Sequence, residues 1–336
     1  MNFFDTLFGN SRQKAYFSSR IREGTLAHAY ILEAPAGSGK KTFSLSLAAA
    51  IAAAFRGEDE EEKEKKCARI LAGTSPDVMM LKREEGKKTI GVDAVRDFMS
   101  TVYLTPSELS FKMYIFDEAD LITPQAQNAL LKVIEEPPHG VYILLLCQNS
   151  LSLLSTVRSR AQKISLEVFE EEALLSYAKK EALLPVGEEE KLRFALRMAG
   201  GSIGKLRRLL DGEQSEYSAY LTAKKLVMGQ ADKGRVTYFE FLKTVSDFAT
   251  TREAFDSLLS YLLTAYADIA RARTSDEVVS SVFEKEELEH LAMVFATGAV
   301  MKSFDIVNGI KDDTRFNINL SLGASMLGMA LWNAIS

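Results

Sequence analysis

Ala34-Pro35-Ala36-Gly37-Ser38-Gly39-Lys40-Lys41-Thr42 follows an apolar run at Ala29–Leu32 and opens a helix-like stretch over Thr42–Phe55. A glycine-rich turn between a strand and a helix is the context that phosphate binding requires. Glycines let backbone N–H groups close on phosphate oxygens, the helix N-terminus adds positive potential, and a lysine reaches the β- and γ-phosphates. On this reading Gly37, Ser38, Gly39 and Lys40 form the cradle. Two positions depart from the pattern G-x-x-x-x-G-K-[ST]. Ala34 replaces the first glycine, a mild change. Lys41 replaces the hydroxyl residue that should bind Mg²⁺, a serious one. Sliding the register by one residue makes Lys41 the phosphate lysine and Thr42 the Mg²⁺ ligand, but it puts Lys40 where glycine permits close backbone approach. The same residues also make an unliganded strand-to-helix turn.

Further along, Lys112-Met113-Tyr114-Ile115-Phe116-Asp117-Glu118-Ala119-Asp120 is an apolar run that ends in acids. In an α/β layer this places Asp117 and Glu118 at the carboxyl end of a strand, where ligands bind. In nucleotide hydrolysis such an Asp holds hydrated Mg²⁺ and the Glu polarises the attacking water. A solvated turn would look the same in isolation; behind a phosphate loop the pair points to P-loop NTPase ancestry. A third element, Thr156-Val157-Arg158-Ser159-Arg160-Ala161, precedes the last apolar run. It reads either as two solvated arginines or as an arginine finger, a guanidinium that stabilises charge on a γ-phosphate, often a neighbour's.

Around these motifs, strand-like runs at Ala29–Leu32, Val78–Leu81, Met113–Phe116, Tyr142–Cys147 and Ile164–Leu166 alternate with helical stretches such as Val92–Val102. That alternation predicts an α/β layer with a mostly parallel sheet. The clearest helix is Pro124–Glu136. Thr123 is its N-cap, Pro124 sits where a missing N–H costs nothing, and Ala126, Ala129, Leu130, Val133 and Ile134 share one apolar face. Pro137-Pro138 stops it. After Phe169 the strand signals fade into three short helices, Glu170–Glu181, Glu188–Met198 and Ile203–Leu210, broken by Gly200-Gly201-Ser202. From Gln214 onward the pattern is helical. Boundaries are therefore placed to give 1–168, 169–210 and 211–336.

Composition narrows the classes. Forty-one Lys and Arg against 46 Asp and Glu give a net charge of −5, so this is no basic coat for nucleic acid. Two cysteines, Cys67 and Cys147, make neither a disulfide scaffold nor a four-thiolate zinc site. Leu45–Phe55, the longest greasy stretch, is only about half of the roughly 20 residues a membrane span needs. No signal peptide opens the chain, so a cytoplasmic home is expected. The run Gly57–Lys66 mixes both charge signs and reads as a solvated loop or helix extension.

Asn128-Ala129-Leu130-Leu131-Lys132-Val133-Ile134-Glu135-Glu136-Pro137-Pro138, with Asp117-Glu118-Ala119-Asp120 before it and Ser159-Arg160-Ala161 after, resembles the AAA+ clamp-loader family of bacterial DNA polymerase III. Phe8-Gly9, His28-Ala29-Tyr30, Gly73-Thr74-Ser75-Pro76-Asp77 and Ile90-Gly91-Val92-Asp93-Ala94-Val95-Arg96 extend the likeness. It is dense over the first 168 residues. Beyond them it thins to Gly201-Ser202-Ile203-Gly204 and Asn317-Ile318-Asn319-Leu320-Ser321-Leu322.

The resemblance implies an AAA+ P-loop NTPase module with a parallel five-stranded sheet, a small helical lid, and an all-helical collar that joins a hetero-pentameric ring. Partners would be the gamma/tau and delta subunits, with the sliding clamp and primer-template DNA engaged through the complex. Gly37, Ser38, Gly39, Lys40 and Thr42 fall in the family's nucleotide loop, Asp117 and Glu118 on its Mg²⁺ and water acids, and Asn149 near its polar sensor, a place Gln148 also competes for. Arg160 falls on the finger that reaches an adjacent motor's ATP. Three departures stand out: Lys41, Gly204 in place of a motor's lid arginine with Lys205 adjacent, and Cys67 as the one survivor of four family zinc cysteines. Zinc is not expected, and Cys67 reads as an inert thiol. The implied role is a largely non-hydrolysing stator within the polymerase holoenzyme, a nucleotidyltransferase assembly. The alternative is an active ATPase motor of gamma/tau type, which the intact acids favour.

Overall fold

The computed structural model describes the chain except residues 1–2, 5–6, 56–58, 182, 184–188, 212–213, 275–281, 315–318 and 335–336. Asn317 and Ile318 of the C-terminal family trace lie outside the described residues. The rest divide into two compact units: 1–181 with 199–205, and 182–198 with 206–336.

The first unit runs α1 (Ser11–Glu23), β1 (Ala29–Glu33), α2 (Lys40–Ala54), α3 (Glu60–Leu71), β2 (Val78–Leu81), α4 (Val92–Met99), β3 (Lys112–Phe116), α5 (Pro124–Glu135), β4 (Val141–Cys147), α6 (Ser155–Arg158), β5 (Gln162–Ser165) and α7 (Glu171–Lys180). All four strand pairings are parallel, in the order β2-β3-β4-β1-β5. This is the expected five-stranded parallel sheet. Strand side chains alternate between two cores. Ile31, Tyr114, Phe116, Ile143 and Leu145 pack with α4, α5 and α6. Tyr30, Leu32, Met113, Ile115, Leu144 and Leu146 pack with Phe17 of α1, Leu47 of α2 and Ile70 of α3 on the other face.

Two elements differ from the sequence-based expectation. Helix α4 stops at Met99 rather than Val102, and the chain turns there, with Val102 N–H donating to Met99 O at 3.0 Å. The β-branched pair Thr101-Val102 has little helical preference to carry it further. The charge run becomes a helix of its own, α3, whose Lys65–Glu61 and Lys63–Glu60 pairs at 2.7 and 3.0 Å lie at helical spacing. Its buried face carries Cys67, which donates to Ala49 O of α2.

The second unit is helical among its described residues. It contains α8 (Glu189–Ala199, all but its last residue), most of α9 (Ile203–Asp211), α10 (Gln214–Ala231), α11 (Tyr238–Phe248), α12 (Arg252–Ala272), α13 (Lys285–Val294), α14 (Thr297–Thr314) and α15 (Leu320–Asn333). Phe255, Leu258, Leu262 and Ile269 of α12 are fully buried. A polar clamp crosses this core. Tyr266 O–H donates to Gln230 Oε1, and Gln230 Nε2 donates to Leu331 O of α15. Buried donors and acceptors satisfied this way fix which helices meet.

Candidate nucleotide loop and arginine finger

The loop leaves β1 at Glu33 and enters α2 through Gly37 and Gly39, at φ 73° and 88°. Both lie in the left-handed region that glycine tolerates best. Gly39 caps α2 without a side-chain hydrogen bond, so the first N–H groups of the helix face the loop without a capping side chain. Ser38 Oγ is buried and has no hydrogen-bond partner among the described residues. Lys40 Nζ folds back on the loop itself, donating to Ala34 O at 2.6 Å and Pro35 O at 2.9 Å. Burial pulls its ammonium below the ordinary lysine range, against the attraction of Asp120 and Asp117. Lys41 is also held below that range, first by the Lys82 ammonium beside it and then by burial. The Mg²⁺-hydroxyl position is thus filled by a cation with a second cation near it.

Residues 199–205 belong to the same unit as the loop. Gly204 N–H donates to Gly37 O at 2.9 Å. A Cβ on Gly204 would lie 2.8 Å from that same oxygen. The position where a motor subunit is expected to carry its lid arginine is therefore a backbone contact that admits no side chain without movement. Gly204→Ala is expected to cost about 1–2 kcal/mol, as overpacking does, and to speed hydrogen exchange at this amide. Thermal unfolding and exchange on the full chain check both.

Asp117 and Glu118 leave β3 at its carboxyl end, and Asp117 N–H donates to Leu81 O at 2.9 Å. Glu118 takes φ 55°, a conformation non-glycine residues rarely adopt. Its N–H donates to Asp117 Oδ1 at 3.1 Å, and Arg83 Nε lies 3.3 Å from its Oε2, an ion pair without hydrogen-bond alignment. The sheet brings Lys40 within electrostatic reach of Asp117 and Asp120. Cys147, at the end of β4, is pushed up to about 12 by burial and then by Glu33 and Asp120, so it stays a neutral thiol. Asn149 Oδ1 accepts from Leu151 N at 2.9 Å and caps the following turn. Thr42 is exposed on α2. Among the described residues no group of three or more His, Cys, Asp or Glu is placed to hold a metal ion. The loop fits a phosphate chain by its glycines, Lys40 and the unpartnered Ser38 hydroxyl. Lys41 does not fit a Mg²⁺ ligand.

Arg160 stands apart from this group. Strand β5 pairs with β1 in parallel, Tyr30 opposite Gln162, which puts Arg160 level with His28. The five residues of β1 lie between that level and Ala34, six residue steps or roughly 20 Å at about 3.3 Å per residue. The loop and acids lie at the carboxyl edge of the sheet; Arg160 lies at the amino edge. There its Nε sits 2.7 Å from Glu135 Oε1, and Nη1 donates to Thr156 O at 3.1 Å and Ser159 Oγ at 3.2 Å.

Sequence reasoning singled out Arg160 but missed its partner Glu135, although the acid lay inside the most specific string. It also missed Gln127, buried on α5, which donates to Ile122 O at 2.9 Å and accepts from Leu154 N at 2.7 Å. A glutamine between two apolar faces carries no local signal of what it will bridge.

The family model described as "DNA polymerase III, delta subunit" matches residues 9–170. The DNA polymerase III subunit delta' of Pseudomonas aeruginosa is 34% identical over 221 residues, 65% of this chain and 67% of that protein. The delta' subunit of Escherichia coli is 34% identical over 147 residues, 44% of this chain and 43% of its own. A solved gamma-subunit-related protein of Thermotoga maritima aligns over 95% of this chain and 99% of its own, at 18% identity and a TM-score of 0.48. The string Leu131-Lys132-Val133-Ile134-Glu135-Glu136-Pro137-Pro138, the loop and the Ser159-Arg160 pair all fall inside the span of the family model. The chain belongs to the delta-prime family of DNA polymerase III clamp-loader subunits.

Proposed function

We propose that this chain is a largely non-hydrolysing stator of the clamp loader, lending Arg160 to the ATP site of a neighbouring subunit. The observation that carries the reading is the placement of Arg160 at the amino edge of the sheet, roughly 20 Å from the chain's own loop by strand rise. A finger there cannot serve the site of its own chain, and it faces outward for another. Lys41 supports the non-hydrolysing half of the reading, because phosphoryl transfer depends on a correctly held metal and the metal's hydroxyl ligand is absent. Where nucleotide binds, Gly37, Ser38, Gly39 and Lys40 would hold its phosphates, and Asn149 would lie near them.

The three-domain division (AAA+ module 1–168, lid 169–210, collar 211–336) belongs to the same proposal. So does the ring with gamma/tau and delta subunits, through which clamp and primed DNA are engaged. No single described helix is long and apolar enough to cross a membrane. A motor of gamma/tau type is the second reading, favoured by the intact Asp117 and Glu118.

The two readings part in one measurement. ATP turnover by the isolated full chain, with and without primed DNA, is expected to stay at background. Robust DNA-stimulated turnover would overturn the stator and leave the motor. Calorimetric titration with a non-hydrolysable ATP analogue separately reports whether the loop binds nucleotide.

A further inference from the structure

We propose that Glu135 is the positioning residue for Arg160, fixing the plane and reach of the guanidinium that is offered to the neighbouring subunit. This inference rests on the arginine-finger reading above.

Helix α5 must end at Glu135. Pro137 disfavours helical backbone in the residue before it, and Glu136 has left the helix at φ −125°, ψ 68°. An acid in the last turn faces the negative end of the helix dipole, so Glu135 is poorly placed unless a cation joins it. Arg160 is that cation, with Nε 2.7 Å from Oε1. The pair stands at the surface, with side chains 40% and 47% exposed, so it contributes little to stability. Its geometry is nevertheless tightly specified at both ends. His28 Nε2 bonds Ile134 O at 2.7 Å and pins the end of α5 to β1. Gln127 ties the start of α5 to Leu154, where the chain enters α6 and then Arg160. Carboxylate and guanidinium thus project from elements tied into the domain by half-buried and buried hydrogen bonds, the condition for holding a reactive group to a fraction of an ångström.

The contacts divide the guanidinium cleanly. Nη1 donates to Thr156 O and Ser159 Oγ, while Glu135 holds the Nε side by an ion pair without hydrogen-bond alignment. Nη2 has no partner among the described residues. The Nη1 hydrogen bonds and the charge of Glu135 together set how the guanidinium lies, and Nη2 is left to meet a phosphate oxygen. Without the carboxylate the charge of Arg160 remains but its orientation is free, and misplacement of about 1 Å costs up to about 100-fold in such chemistry.

The test uses the assembled loader with clamp and primed DNA. The readout is the finger-dependent turnover, meaning the part lost on Arg160→Ala. Glu135→Ala is expected to lower the kcat of that part about tenfold with the KM for ATP within about twofold. Glu135→Gln, which keeps an acceptor oxygen, should fall between it and wild type. Arg160→Ala with Glu135→Ala together should be no slower than Arg160→Ala alone. Wild-type kcat in Glu135→Ala beside a crippled Arg160→Ala overturns the positioning role and leaves the finger. Faster turnover in Glu135→Ala also overturns it, since the carboxylate would then be sequestering the arginine. Full turnover in Arg160→Ala removes the finger reading itself.

Discussion

Arg160→Ala in the assembled loader is expected to slow ATP hydrolysis at the adjoining motor site by about 1000-fold, while that site still binds nucleotide. Fingers supplied in trans contribute about 10³–10⁵ to phosphoryl transfer because their charge meets the γ-phosphate in the transition state rather than the ground state. The effect should therefore appear in kcat, with KM for ATP little changed. Arg160→Lys separates charge from shape. A lysine keeps the positive charge but not the planar fork, so it cannot hold the Glu135, Thr156 and Ser159 contacts while presenting a further N–H. It should recover a small part of the loss. The variant chain should assemble and unfold as wild type does, because the partners lost among the described residues are an exposed ion pair and two surface acceptors. Equal kcat in wild type and Arg160→Ala loaders would dismiss Arg160 from the neighbour's chemistry.

The loop and the acids at the carboxyl edge were legible because their parts are local. A glycine turn between strand and helix, an apolar run ending in Asp117-Glu118, and a threonine-capped, proline-stopped helix each declare themselves from neighbouring residues alone. The sheet followed from alternation, and the boundaries of β1 to β4 agree to within one residue because such parallel strands are near-continuous apolar runs, while β5, an exposed polar edge strand, starts two residues earlier than expected. What stayed hidden depends on tertiary neighbours. Nothing within the loop foretold that Lys40 folds back on Ala34 and Pro35, or that Gly204 would seat against Gly37. Helix α3 was readable as charged but not as a buried-face helix, since only Cys67 and Ile70 of it face inward. Arg160 could be named from its motif. Its place at the amino edge, away from the chain's own loop, appears only once β5 is registered against β1.

Asp77→Ala is expected to destabilise the first unit by about 4 kcal/mol, the largest stability effect foreseen for a single side chain here. Asp77 is fully buried just before β2, in the Gly73-to-Asp77 string that the family resemblance marked without assigning it a task. Its carboxylate accepts three consecutive backbone N–H groups: Ser107 at 2.8 Å, Glu108 at 2.7 Å and Leu109 at 2.9 Å. Those three residues belong to the loop that crosses from α4 into β3, the strand that delivers Asp117 and Glu118. Hydrogen bonds to an ionised group contribute about 1.5–3 kcal/mol each, and buried donors left unpaired lose about 1–3 kcal/mol each. Partial water entry and local relaxation keep the total near the lower sum. Asp77→Asn retains one acceptor oxygen but turns an amide N–H₂ toward a remaining donor, so about half the loss is expected. Urea unfolding followed by far-ultraviolet circular dichroism gives the midpoint shift, and hydrogen exchange at residues 107–109 gives the local one. The only tryptophan, Trp332, lies in the other unit, so its fluorescence reports that unit and serves as the internal control. A loss under 1 kcal/mol in Asp77→Ala, with the three amides still protected, would mean the loop holds itself and the carboxylate is incidental to β3.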